Sequence, residues 1–133
     1  MIGYGKRRSP PAAAITSIGV DHVRLSYDYL DAGDIDAYGS LLDDNVQVRR
    51  PDAVQSQGRV QVLRLHAEVT GPPGRHMLDL IIADEDSVVV LGHFIRPSAP
   101  PHELLDVEFV DVFTLSEVGL LLGYRRYYYV APN

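Results

Sequence analysis

Asp111 sits inside the run Leu105-Asp106-Val107-Glu108-Phe109-Val110-Asp111-Val112-Phe113. In a strand, side chains alternate faces, so Leu105, Val107, Phe109, Asp111 and Phe113 share one. A carboxylate is costly to bury in an apolar row without partners, and the usual escape is to take up a proton. A neutral carboxyl can donate a hydrogen bond or act as a general acid. The bland alternative is a short row whose carboxylate looks into water at a sheet edge.

His93 is the second candidate. Alternation along Val89 to Ile95 puts it in a row with Val89, Leu91 and Ile95. An imidazole in such a row serves as a base or proton shuttle near neutral pH, or as a core histidine with a backbone or tyrosine partner. Asp79, in a row with Met77 and Ile81, and His66 pose the same choice. Arg50 offers a planar guanidinium suited to a carboxylate or enolate; the alternative is a surface ion pair. Tyr124, Tyr127, Tyr128 and Tyr129 crowd one segment, giving either phenol donors or strand packing. The histidines lack helical metal-ligand spacing, so no metal is expected. No phosphate loop or dinucleotide motif is present, and no cofactor is expected.

The elements that carry these groups fit one domain. The chain has 133 residues, 46% hydrophobic and 23% charged, enough for a real core. The formal net charge of −6 argues against nucleic acid or an anionic membrane surface as partner. With no cysteine, disulfides and thiolate chemistry are excluded. No apolar run approaches the roughly 18 residues that span a bilayer. Residues 1–18 read as a flexible arm without the apolar stretch of a secretory leader, so a cytoplasmic location is expected. Residues 19–133 read as the domain.

Periodicity predicts a helix over 21–32, with Val23, Tyr27 and Leu30 on its apolar face, stopped by Gly33. Asp34 caps a short helix over 35–42. Val46 to Val48 suggests a short strand, and a third helix covers 59–69. Gly71-Pro72-Pro73-Gly74 breaks the pattern. Strands follow over 75–83, 87–96, 104–115 and 120–130. Helices first and four antiparallel strands after indicate an α+β fold. Val110 and Val112 lie opposite the Asp111 row. A second copy of the chain is the expected cover for that face, giving a homodimer; the N-terminal arm is the alternative.

The segment Tyr27-Asp28-Tyr29-Leu30-Asp31-Ala32-Gly33-Asp34-Ile35-Asp36-Ala37-Tyr38 resembles the opening of ketosteroid-isomerase and SnoaL-like proteins of the nuclear-transport-factor-2-like superfamily. Leu41 to Val48 and Gly58-Arg59-Val60 continue the resemblance, which covers about residues 20–130. It implies a cone-shaped α+β barrel, with three helices packed in a strongly curved antiparallel sheet around an apolar pocket. It also implies acid–base work without a cofactor. Phe109-Val110-Asp111-Val112-Phe113 looks like the ketosteroid-isomerase strand whose Asp stays neutral, a case known from that enzyme. The family's general base does not carry over: Arg50 stands in its place before Pro51, with Asp52 two residues on. The family's oxyanion tyrosine aligns with Ser26, next to Tyr27. A steroid-isomerase mechanism is therefore disfavoured.

The resulting expectation is an acid–base enzyme of cyclase, isomerase or dehydratase type, acting on an apolar polyketide-like or terpenoid-like molecule in bacterial secondary metabolism. Asp111 would be the acid, with His93 or Tyr27 as partner. Arg50, Tyr127, Phe109 and Phe113 would contact substrate. Epoxide hydrolysis, a non-catalytic binding or dimerisation module, and a pathway accessory protein are the alternatives.

Overall fold

Ala12-Ala13-Ala14 open a helix. The computed structural model describes residues 12–51, 53–68, 74–98 and 103–130, and α1 spans Ala12–Ala32. It begins nine residues before the expected start. Alanine is the strongest helix former, and Val20, Val23, Tyr27 and Leu30 keep helical spacing across the boundary. Gly19 is accommodated because Leu115 packs against it; a Cβ there would lie 2.1 Å from Leu115 Cδ1. The latter part of the expected arm is thus helix, and residues 1–11 lie outside the described residues. Gly33, at φ 73°, takes the left-handed turn that ends α1. Asp34 then accepts a 3.1 Å hydrogen bond from the Ala37 amide, capping α2, Ile35–Gly39.

The chain continues through β1 (Leu42–Arg49), β2 (Ser56–Gln57), α3 (Arg59–Ala67), β3 (Arg75–Asp84), β4 (Ser87–Ser98), β5 (Glu103–Leu115) and β6 (Leu121–Tyr128). One six-stranded sheet forms in the order β2-β1-β6-β5-β4-β3. The expected antiparallel meander is β3 to β6. Two features exceed the expectation: β2 exists, and β1 is long and runs parallel to β6. Local patterning does not reveal a parallel pairing across such a sequence distance. The α+β class holds, with α1 packed against a curved sheet.

Register decides which side chains meet. Val90 faces Asp111, Gly92 faces Phe109, and His76 faces Phe94. Asp111 faces Arg126, Phe113 faces Tyr124, and Phe109 faces Tyr128. These groups line the inner surface, where Val23 and Tyr27 of α1, Tyr38 of α2, Val46 and Val48 of β1, and Val62 of α3 complete one core. The opposite surface carries Met77, Leu80, Ile82, Leu91 and Tyr127, all exposed. The register of β3 shifts between Leu78 and Leu80. Met77 consequently pairs with outward His93, whereas Ile81 pairs with inward Val90. The expected row of Met77, Asp79 and Ile81 is broken by this bulge.

Candidate active site

Asp111 is fully buried, at 0% exposure, and Arg126 stands opposite it at 4%. Arg126 Nε donates to Asp111 Oδ1 at 2.8 Å, and Nη2 donates to Oδ2 at 2.9 Å. The Tyr27 hydroxyl donates to Oδ2 at 2.6 Å. Both carboxyl oxygens therefore accept, and three donors converge on them. That is the bonding pattern of a carboxylate. The expectation of a carboxyl without partners in an apolar row is corrected: β6 supplies a guanidinium that the β5 pattern could not show. Arg126 also lies over the Phe109 ring, 4.2 Å from its centroid. Burial acts to lower its pKa, but its hydrogen bonds to Asp111 and Tyr128 and the electrostatic effect of Tyr124 and Asp111 win, and the net shift is upward. Burial, then the charge of Asp111, pushes the Tyr27 phenol far above its ordinary value.

A cavity of about 20 Å³ opens beside this network, room for roughly one water. Ser26, Tyr27, Leu30, Tyr38, Arg50, His76, Phe113, Tyr124 and Arg126 line it. Of the predicted residues, Tyr27, Arg50 and Phe113 are on this wall, and Asp111 lies behind it. Arg50 Nη2 donates to the Tyr128 hydroxyl at 3.0 Å. Phe109 is buried against Tyr27 and Arg126.

His93 and Tyr127 are elsewhere. His93 pairs with Glu108 on the outer surface, because strand parity puts it opposite the Asp111 row. Its Nδ1 meets Asp106 at 2.8 Å and its Nε2 meets Asp79 at 3.1 Å. The hydrogen bond to Asp106 outweighs partial desolvation and raises its pKa. It has no access to Asp111 or Tyr27. An open groove of about 430 Å³ passes His93, Asp106, Val107, Glu108 and Tyr129, but the two ring nitrogens of His93 are both spent on carboxylates. Tyr127 is 52% exposed and accepts from Arg125 at 3.3 Å on the outer surface.

The sequence reading missed His76. Its Nδ1 lies 2.5 Å from Asp31 Oδ1, and its backbone N–H donates to Asp31 Oδ2 at 2.7 Å. One residue thus occupies both oxygens of the carboxylate. The His76 side chain is 8% exposed and packs against Tyr27, Phe94 and Phe109. With a carboxylate as acceptor, Nδ1 is the donating nitrogen of this contact. Nε2 has no partner among the described residues. This is the geometry of an oriented base. Asp31 itself left a signal, since it lies in the last turn of α1, where the helix dipole disfavours a negative charge.

His66 lies behind the cavity, its ring 5.0 Å from that of Tyr38. Burial, then the charge of Arg50, lowers its pKa to about 4. Among the described residues, no group of three or more acidic or histidine side chains could hold a metal ion. No helix there is long and apolar enough to cross a membrane.

Comparison with known proteins places the fold. Residues 23–122 match the SnoaL-like domain. No protein of curated function matches significantly in sequence. Among solved structures, a candidate ketosteroid isomerase from Kribbella flavida is 18% identical with a TM-score of 0.75, covering 89% of this chain and 82% of that one. An LEH-like epoxide hydrolase of Mycobacterium tuberculosis is 18% identical with a TM-score of 0.73, covering 85% and 84%. Another M. tuberculosis protein, in complex with estradiol-17beta-hemisuccinate, is 14% identical with a TM-score of 0.71, covering 85% and 95%. At these identities the likeness concerns the fold.

Proposed function

The chain belongs to the SnoaL-like domain family, and on that premise we propose that it is an acid–base enzyme of the isomerase, cyclase or dehydratase type. Its substrate is an apolar polyketide-like or terpenoid-like small molecule. One observation carries this reading: His76, held by Asp31, lines the same cavity as Arg50, Arg126 and three tyrosines. His76 Nε2 removes a proton from carbon, and Arg50 faces the negative charge that develops. Asp111 is not the acid. It fixes Arg126 and Tyr27, and so sets the shape of the wall. The estradiol-17beta-hemisuccinate complex of a relative supports an apolar ligand in this fold. Epoxide opening needs an acid beside the base, and Asp111 accepts on both oxygens, so that reading comes second.

We also propose that the chain works as a homodimer. The exposed apolar row of Leu80, Leu91 and Tyr127 on the outer surface supports it.

The test is proton exchange. Polyketide-like and terpenoid-like ketones are incubated with the protein in D₂O, and loss of α-proton signal is followed by NMR. Wild-type protein is expected to exchange at least one member of the panel. His76→Gln should lower that rate by roughly 10²–10⁴-fold, the span of one general base. Exchange that persists unchanged in His76→Gln removes His76 as the base. Binding without exchange across the panel would instead support the non-catalytic module.

A further inference from the structure

The two edges of the sheet are unlike. The strand order puts β2 at one end and β3 at the other. β2 is two residues long, and so short an edge offers little template for another chain. β3 runs for ten residues, and among the described residues no strand pairs with its far side. It holds no proline and no lysine, the residues that commonly guard an edge. Met77, Leu80 and Ile82 stand on it about half exposed.

The charges of this strand mark its ends. Arg75 opens β3 and Asp84 closes it. Both are exposed, and neither has an ion-pair partner among the described residues. In a regular strand these two positions point to opposite faces. The register shift between Leu78 and Leu80 changes that. Arg75 and Met77 pair with Ile95 and His93, while Leu80, Ile82 and Asp84 pair with Leu91, Val89 and Ser87, the alternate residues of β4. All five β3 residues therefore share the outer surface.

We propose that the free edge of β3 is a self-pairing surface, and that its partner is β3 of a second copy, laid antiparallel about a two-fold axis between Asp79 and Leu80. In that register Arg75 of each copy meets Asp84 of the other, and Met77 meets Ile82. Directly opposed residues of an antiparallel pair must lie on one face, and the shifted register supplies that match. The pattern is self-complementary at both ends, as an isologous contact requires. Asp79 is the carboxylate beside the axis, and His93 Nε2 already holds it at 3.1 Å within its own chain. A strand of unrelated sequence would use the same backbone groups but leave the two end charges unmatched.

The contact is small. A pair of ten-residue strands buries less than the roughly 1,600 Å² of a stable interface. It therefore forms at higher concentration than the homodimer proposed for the outer surface, and it stands independently of that dimer.

Sedimentation of the Leu91→Asp variant tests the edge alone, since that change is aimed at the outer-surface dimer. From micromolar to millimolar concentration its mass should rise from one chain toward two. Arg75→Asp sets like charges against each other at both ends and should weaken this association roughly tenfold. Adding Asp84→Arg should restore it. The chain has no cysteine, so introduced thiols report the register. In the same background, Met77→Cys and Ile82→Cys carried together should give disulfide-linked dimers on oxidation, because opposed residues stand at about the 5 Å Cα separation that a disulfide spans. Within one strand the two positions are too far apart to bridge, and either change alone should stay unlinked. A single-chain mass at every concentration, association indifferent to Arg75→Asp, or linking by Met77→Cys alone overturns the proposal. If wild-type protein sediments as Leu91→Asp does, the outer-surface dimer fails while the edge pairing stands on its own results.

Discussion

Asp111 and Arg126 face each other across β5 and β6 and close a two-pronged ion pair with almost no contact with water. Removing one partner strands the other in the core. Asp111→Leu and Arg126→Met should each cost about 3–5 kcal/mol, the range for a broken buried pair. The double variant Asp111→Leu with Arg126→Met should cost far less than the sum, because an apolar pair replaces both charges. Urea unfolding of the four proteins measures the coupling. Additive losses would mean that the pair is solvated in solution.

That pairing also shows how far the sequence could be read. The Asp111 row, the helix faces and the meander are local patterns, and alternation alone places Phe109, Asp111 and Phe113 together. Arg126 depends on a register that alternation does not specify. Leu115 pairs with Leu121, and continued without a break this register would set Asp111 against Arg125. The irregularity between Thr114 and Leu115 shifts it by one, and Arg126 takes the place. A one-residue slip changes every partner. The bulge at Asp79 similarly obscured which face Met77 and Ile81 occupy. Alternation gives the row of His93 but not its face, since parity within a strand does not say which side is in. The Asp31–His76 contact joins residues 45 apart, and only the dipole-opposed acid of α1 pointed to it.

His66 should make stability depend on acid. Its folded value is about 4 against an ordinary 6.5. Above pH 6.5 it is neutral in both states. Between about 6.5 and 4 the unfolded chain takes the proton first, so stability falls as pH drops and levels off below about 4. The full effect is up to about 3 kcal/mol. His66→Phe should show a correspondingly shallower decline in urea midpoints over this window. Parallel declines in both proteins would mean that His66 is solvated.

Gly92 is a packing position. A Cβ there would stand 2.4 Å from the Met77 carbonyl oxygen and 3.0 Å from Phe109 Cζ. The first of these is backbone and cannot swing away. Gly92→Ala should therefore destabilise by roughly 1–3 kcal/mol, and calorimetry reads it directly. It should also disturb Phe109, which carries the Arg126 guanidinium, so any His76-dependent exchange should fall as well. A melting temperature equal to wild type would show that β3 and β4 are further apart here than described.

The outer surface makes the last prediction. Leu80, Leu91, Val110 and Tyr127 align in register across β3, β4, β5 and β6. Four strands at about 4.8 Å spacing make this an apolar stripe roughly 15 Å wide. Met77 and Ile82 extend it on β3, and both are about half exposed. Charged groups border the stripe: Arg125 at one end of the register, and Asp79, Asp106 and Glu108 around His93 at the other. In the proposed homodimer, a two-fold axis through the centre of the stripe would carry the basic end of one copy toward the acidic end of the other, a self-complementary arrangement. Sedimentation equilibrium at micromolar concentration should give twice the chain mass. Leu91→Asp should give the single mass with the fold intact by circular dichroism, since Leu91 lies outside the core. Arg125→Glu should weaken the dimer, and adding Asp79→Arg should restore it. A wild-type protein that sediments as one chain at every concentration would leave this face to a different partner.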